Sequence, residues 1–287
     1  MTGLTGLRVL RDAALMAGYQ ASAINQTLVL TGALARGPQR RLAETTKWWL
    51  DCTAVGGMAR FGEGFRNTLH VRLMHALIRR RVREMPGWNT ARWGLPVNQT
   101  DMAATQLGFS VVFLLGCRAM GIPLTRADGR AVMHLWRYIG WLMGVEEHWL
   151  PETENRGRTL LYQILLSQAP ADESSRRLGR ALRDEPLQRH YPNLAWLRGR
   201  FNRARHLSIA RLFLDRQGMR DLGLPAHVLP WYPALAAPVN LARHAGWRAS
   251  PGGRFRLARA GRRAQLDYLR TLFGNTRPGV HEATDPV

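Results

Sequence analysis

The sequence predicts an all-α protein built as a single helical domain. Apolar residues recur at helical spacing along nearly all of its 287 residues, and period-2 alternation bounded by turn residues is missing. The interruptions are helix stops: Gly37-Pro38, Met85-Pro86-Gly87, Gly121-Ile122-Pro123 and Pro251-Gly252-Gly253. Between these stops the spacing predicts helices over 5–18, 20–35, 38–55, 59–84, 99–120, 125–143, 157–168, 174–184, 194–215, 225–242 and 255–273. Asn98 or Thr100 is expected to cap the fifth of these, and Thr125, with Asp128 three residues on, the sixth. No repeat and no Pro- or Ser-rich linker divides the chain, so 1–273 is expected to fold as one domain. The polar stretch 274–287 is expected to be a disordered tail.

Composition sets limits on function. Lys plus Arg is 41 against 20 Asp plus Glu, a formal charge of +21, and Lys47 is the only lysine. So basic a surface attracts anions of many kinds: phosphorylated polymers, acidic headgroups or carboxylates. The cysteines, Cys52 and Cys117, form neither CxxC nor CxxCH, which argues against a disulfide scaffold, a zinc finger and covalently attached haem. A cytoplasmic location fits this usage, with peripheral membrane association left open. Residues 13–35 are uncharged up to Ala35 but carry too many polar side chains for a spanning helix, and Leu107 to Cys117 suits a buried core helix.

The fourth helix carries the chemistry. Over Asn67 to Arg83, Val71, His75, Ile78 and Val82 fall on one strip, while Leu69, Leu73 and Leu77 form a second. Apolar on two sides, this helix is expected to be central. Arg72 and Arg79 lie three before and four after His75, within about 60° of it around the axis. One reading is a satisfied core histidine with arginines reaching solvent. The other is a cofactor site, because guanidinium groups beside a buried imidazole call for anions, and a haem supplies both an iron for the imidazole and propionates for the arginines. On the preceding helix Arg41, Glu44 and Thr45 share a face, with Trp48 and Trp49 following as pocket walls, unless that face is simply solvated. In the segment 93–105, Thr105 lies one turn after Asp101 and can point inward. Further on, Gly140 and Gly144 permit close helix contact, and Trp136, Trp141 and His134 are expected to be structural.

Four segments, RLAETTKWW (41–49), VRLMHALIRRRV (71–82), GLPVNQTDMAAT (94–105) and HLWRYIGWLMGV (134–145), resemble in order and spacing the superfamily of latex-clearing (rubber) oxygenases and fungal MpaB-type oxygenases. The resemblance spans about a third of the chain. It implies an all-helical, globin-like core around non-covalent haem b, with His75 as axial iron ligand and metal site. It implies Arg72 and Arg79 as its partners on propionates or ligand, and Arg41 and Thr45 on the distal side. Rubber-cleaving members carry a lysine where this chain has Glu44, and an upstream glutamate base where the ungapped equivalent is Asn25. An amide cannot act as a carboxylate base, so cleavage of polyisoprene is not expected. The expectation is a haem b-dependent oxygenase that binds dioxygen opposite His75 and acts on an apolar, unsaturated small molecule. In this reading Arg41, Glu44 and Thr45 are catalytic and Arg72, His75 and Arg79 hold the cofactor.

Several classes are excluded. A P450 thiolate frame, a ferritin-like Glu-x-x-His pair and a zincin His-Glu-x-x-His are all absent. Two readings stay open beside the oxygenase. One is a haem-binding protein without turnover. The other is a basic helical binder of nucleic acid or acidic surfaces, favoured by the arginine-dense stretches 176–183, 198–211 and 254–270, although no specific nucleic-acid partner is expected.

Overall fold

The computed structural model describes residues 1–32 and 38–274, and among them there are helices and no strands. The expected tail therefore lies almost wholly outside the described residues, as do the last residues of the helix expected over 20–35. Helix α1 runs over 3–18 and α2 is Ser22–Leu30; α3 is Pro38–Cys52 and α4 is Glu63–Arg83. A short turn α5, Thr90–Trp93, precedes α6, Gln99–Ala119, and α7, Arg126–Leu142. Then follow α8 (Glu154–Ser167), α9 (Glu173–Asp184), α10 (Ala195–Phe213), α11 (Arg216–Asp221), α12 (Trp231–Ala249) and α13 (Gly253–Phe273). The single all-α domain expected from the spacing is what the chain forms.

Local chemistry accounts for the helix ends. The Asn98 side chain accepts from the Asp101 amide to cap α6, and Thr125 with Asp128 forms a reciprocal capping box on α7. At the other end of α7, Gly144 takes φ +87. Its amide returns to the Trp141 carbonyl and that of Val145 to Gly140, a Schellman closure that needs the left-handed residue. Gly144 thus serves as a helix cap rather than the helix-contact residue expected. The helix expected over 225–242 instead begins after Pro230 and carries Pro238 in its interior.

The core lies where α1, α3, α6, α7 and α13 meet. Trp48, Trp49, Leu107, Val111, Phe113, Leu114, Trp136 and Ile139 are all buried there, and a second cluster around Met16, Leu182, Leu207, Met219 and Leu222 joins α1 to α9, α10 and α11. Both α1 and α6 widen by a π turn, at Leu10–Leu15 and Gly108–Val112, and these turns pack on each other. The crossing is close: a Cβ on Gly116 would stand 2.4 Å from Val9 Cγ1. Helix α6 is long and apolar enough to cross a membrane, yet 56% of its apolar window is buried inside this fold. Helix α4 is not central. Its Val82 is buried, but Leu69, Leu73 and Leu77 are 40–51% exposed, so the second apolar strip faces outward and only the His75 strip meets the core.

Candidate functional site

Five helices line a cleft of about 190 Å3, smaller than the usual small-molecule or cofactor site. Helix α2 contributes Ile24, Thr27 and Leu28, and α3 contributes Arg41 and Trp48. His75 and Ile78 come from α4. Asp101, Met102, Thr105, Gln106 and Phe109 come from α6, and α7 adds Trp136, Ile139, Gly140 and Met143. The apolar wall is aromatic: Phe109 and Trp136 stack at 4.7 Å, and Trp48 sets its edge against both at 5.4 and 5.6 Å. Trp48 is held in place because its indole donates to Thr68 Oγ1 at 3.1 Å. Phe109 sits on the π turn of α6, whose wider backbone presents it to the cleft.

His75 looks onto this cleft. Its Nδ1 is shielded from solvent and has no hydrogen-bond partner. Burial, helped by the positive charges of Arg41 and Arg79, pushes its pKa down to about 4, so the imidazole is neutral at pH 7. A neutral, unpartnered imidazole nitrogen is costly to bury and well suited to a metal. Arg41 is the guanidinium that lines the same cleft.

The two arginines beside His75 have other work. Arg72 Nη1 donates to the Leu142 carbonyl at 3.1 Å, at the C-terminus of α7, where a cation meets the negative end of the helix dipole. Arg79 donates from Nη2 to the Val97 carbonyl at 2.6 Å and from Nε to that of Pro96 at 3.3 Å. Val97 lines the cleft with φ +50, a conformation strained for a β-branched residue, and Arg79 clamps it. Arg72 and Arg79 therefore tie two cleft walls to α4, and neither lines the cleft itself.

The distal set expected on α3 is only partly assembled. Arg41 lines the cleft, whereas Thr45 is half-buried outside its lining and Glu44 pairs with Arg40 at 3.0 Å. Trp49, expected as a pocket wall, turns instead to Phe113, 5.9 Å away. Asn25 is buried and donates to the Tyr19 carbonyl and Ser175 Oγ. Trp136, expected to be structural, serves both core and cleft, while Trp141 and His134 are exposed.

Sequence reasoning passed over the carboxylate in the cleft. Asp101 reads as a capping residue, and its amide is indeed capped, but its side chain reaches the cleft and accepts from Asn98 Nδ2 at 2.9 Å and weakly from Gln168 Nε2 at 3.5 Å. Burial raises its pKa to about 6, so it exchanges a proton near neutral pH. Its spacing to Thr105 was the one signal available.

Residues 7–250 match the profile of the family described as ER-bound oxygenase mpaB/B'/Rubber oxygenase, catalytic domain. The chain belongs to this family. Among curated proteins it is similar to "Rubber oxygenase" from Streptomyces sp. (strain K30), 22% identical over 139 residues, 47% of this chain and 34% of that protein. The match thus spans about a third of the relative's length. Among solved structures, "Structure of Latex Clearing Protein LCP in the closed state" aligns over 93% of this chain and 68% of its own with a TM-score of 0.55 and 17% identity. At that identity the likeness is one of fold. The residues that line the His75 cleft all fall within the matched span.

Proposed function

We propose that this chain is a haem b-dependent oxygenase that acts on an apolar, unsaturated small molecule in the cleft before His75. The carrying observation is the neutral His75 imidazole with its unpartnered nitrogen at a cleft walled by Trp48, Phe109 and Trp136. No group of three His, Cys, Asp or Glu side chains gathers among the described residues. A porphyrin brings four nitrogen ligands of its own and asks the protein for one.

The residues fit such a group. His75 would hold the iron through its imidazole, and Arg41 would meet a propionate. Arg72 and Arg79 would act by positioning, since each fixes a wall next to the ligand. When bound, haem supplies dioxygen activation. The chain's own part is to hold an apolar substrate against Trp48, Phe109 and Trp136, to exclude water with Ile139 and Met143, and to move a proton. Asp101 is the carboxylate best placed for that proton, with Thr105 beside it on α6. Glu44 and Thr45 would join the distal set only if α3 turned further toward the cleft.

The test is purification with hemin, followed by oxygen uptake in the presence of a terpene or an isoprene oligomer. A Soret band and substrate-dependent uptake, lost together in His75→Ala, support the reading. A hemin-loaded wild type that takes up no oxygen with any unsaturated substrate leaves haem binding and removes the oxygenase.

A further inference from the structure

A second cleft, of about 800 Å3, opens between α1, α10 and α13 and shares no lining residue with the His75 cleft. Its walls are apolar: Leu4, Leu7, Leu197 and Phe201. Its lining includes two arginines far apart in sequence, Arg8 and Arg205, held around one phenol. Their guanidinium carbons lie 5.4 and 5.5 Å from the Tyr232 ring centre, and Arg8 also donates to the Tyr232 hydroxyl at 2.5 Å.

Neither guanidinium has an ion-pair partner among the described residues, and only the more distant Asp12 carboxylate bears on Arg205. Arg205 makes no hydrogen bond or ion pair among the described residues, and its Nε is shielded from solvent without a partner. Burial and the nearby charge of Arg8 push its pKa down to about 10, still cationic at pH 7. The other charged lining groups are mostly spoken for. Arg189 is paired with Glu185 at 2.6 Å, and Asp267 with Arg270 at 2.7 Å. Arg198 adds a further unpaired cation at the rim. A guanidinium withdrawn from water without an anion is expensive, and an anion delivered there relieves both arginines. A bare inorganic anion would leave the apolar walls wet, whereas an alkyl chain would cover them.

We propose that this cleft binds an alkyl carboxylate of fatty-acid type, with the carboxylate between Arg8 and Arg205 and the chain along Leu4, Leu7, Leu197 and Phe201. The site does not depend on haem or on the His75 cleft.

Isothermal titration of the full chain with sodium laurate, below its micelle concentration, tests this. One saturable site is expected, weakened at least about tenfold in Arg205→Gln and in Arg8→Gln, partly restored in Arg205→Lys and unchanged in Arg41→Gln. Circular dichroism and melting of each variant separate lost binding from lost folding. Dodecanol should bind far more weakly than laurate, because it fills the walls and leaves the charges unmet. Equal binding of laurate and dodecanol overturns the proposal, as does laurate binding that survives Arg205→Gln but not Arg41→Gln, which would put the ligand in the His75 cleft. Sedimentation with phosphatidylglycerol vesicles without binding of monomeric laurate would also overturn it, and would make the patch a lipid-surface contact.

Discussion

Two histidines on apolar helix faces end in opposite circumstances. His206, on α10, gives its Nδ1 to Asp12 at 2.8 Å. Asp12 also meets Arg11 at 2.5 Å, and Arg11 reaches Glu185 at 2.7 Å, which in turn takes Arg189 at 2.6 Å. Two arginines and two carboxylates balance within the core, leaving His206 Nε2 as the odd atom without a partner. His75, on α4, is also held neutral by burial and arginine charge, but no carboxylate comes to its ring and a cleft opens instead. The first arrangement balances its charges and locks α1 to α9 and α10. The second is unfinished in the way a cofactor site is.

Breaking either region should therefore give different losses. The largest is expected from Glu185→Gln, which strips the buried Arg189 of its anion and Arg11 of one of two. It should cost about 3–5 kcal/mol in urea unfolding while any protein that folds still takes up hemin. The same network predicts an acid limit. Against the push of burial, contacts with His206 and Arg11 hold the Asp12 carboxyl, and contacts with Arg11 and Arg189 that of Glu185, below their ordinary values of 3.8 and 4.5. Their stabilisation is thus complete at neutral pH and drains away as pH falls below those values. A pH series of melts should show wild type losing stability below about pH 4.5, with a shallower slope in Glu185→Gln.

Gly116→Ala should come next, at about 1–3 kcal/mol, because its methyl would press on Val9 where α1 and α6 cross. The smallest effect is expected at Asp101. With its pKa raised to about 6 from 3.8, the folded chain keeps a proton that the unfolded chain has lost between those values, so this group's contribution falls as pH climbs through that window. Asp101→Asn should remove that slope. It should also abolish any inflection near pH 6 in the oxygen uptake of hemin-loaded protein.

The sequence exposed the helices because their punctuation is local: caps at Asn98 and Thr125, and stops at Gly121 and Gly252, act within a turn. His75 was legible for the same reason, as the polar member of an otherwise apolar strip. What the strip could not tell was which of two apolar faces met the core, so Leu69, Leu73 and Leu77 were misplaced. Trp48 and Trp49 look alike in sequence, but 100° around a helix sends one to the cleft and the other to Phe113. Asp101 was hidden because it sits in the first turn of α6, where an acidic residue is ordinary. Arg8 and Arg205 were beyond reach, since only the closing of α1 against α10 brings them to one tyrosine.

Hemin titration of the apoprotein, followed at the Soret band, tests the central claim most directly. The account predicts saturation at one equivalent in wild type, loss of the band in His75→Ala, and its return when free imidazole is added to that variant. Hemin uptake that is absent in folded wild type, or that is the same in His75→Ala, would contradict it.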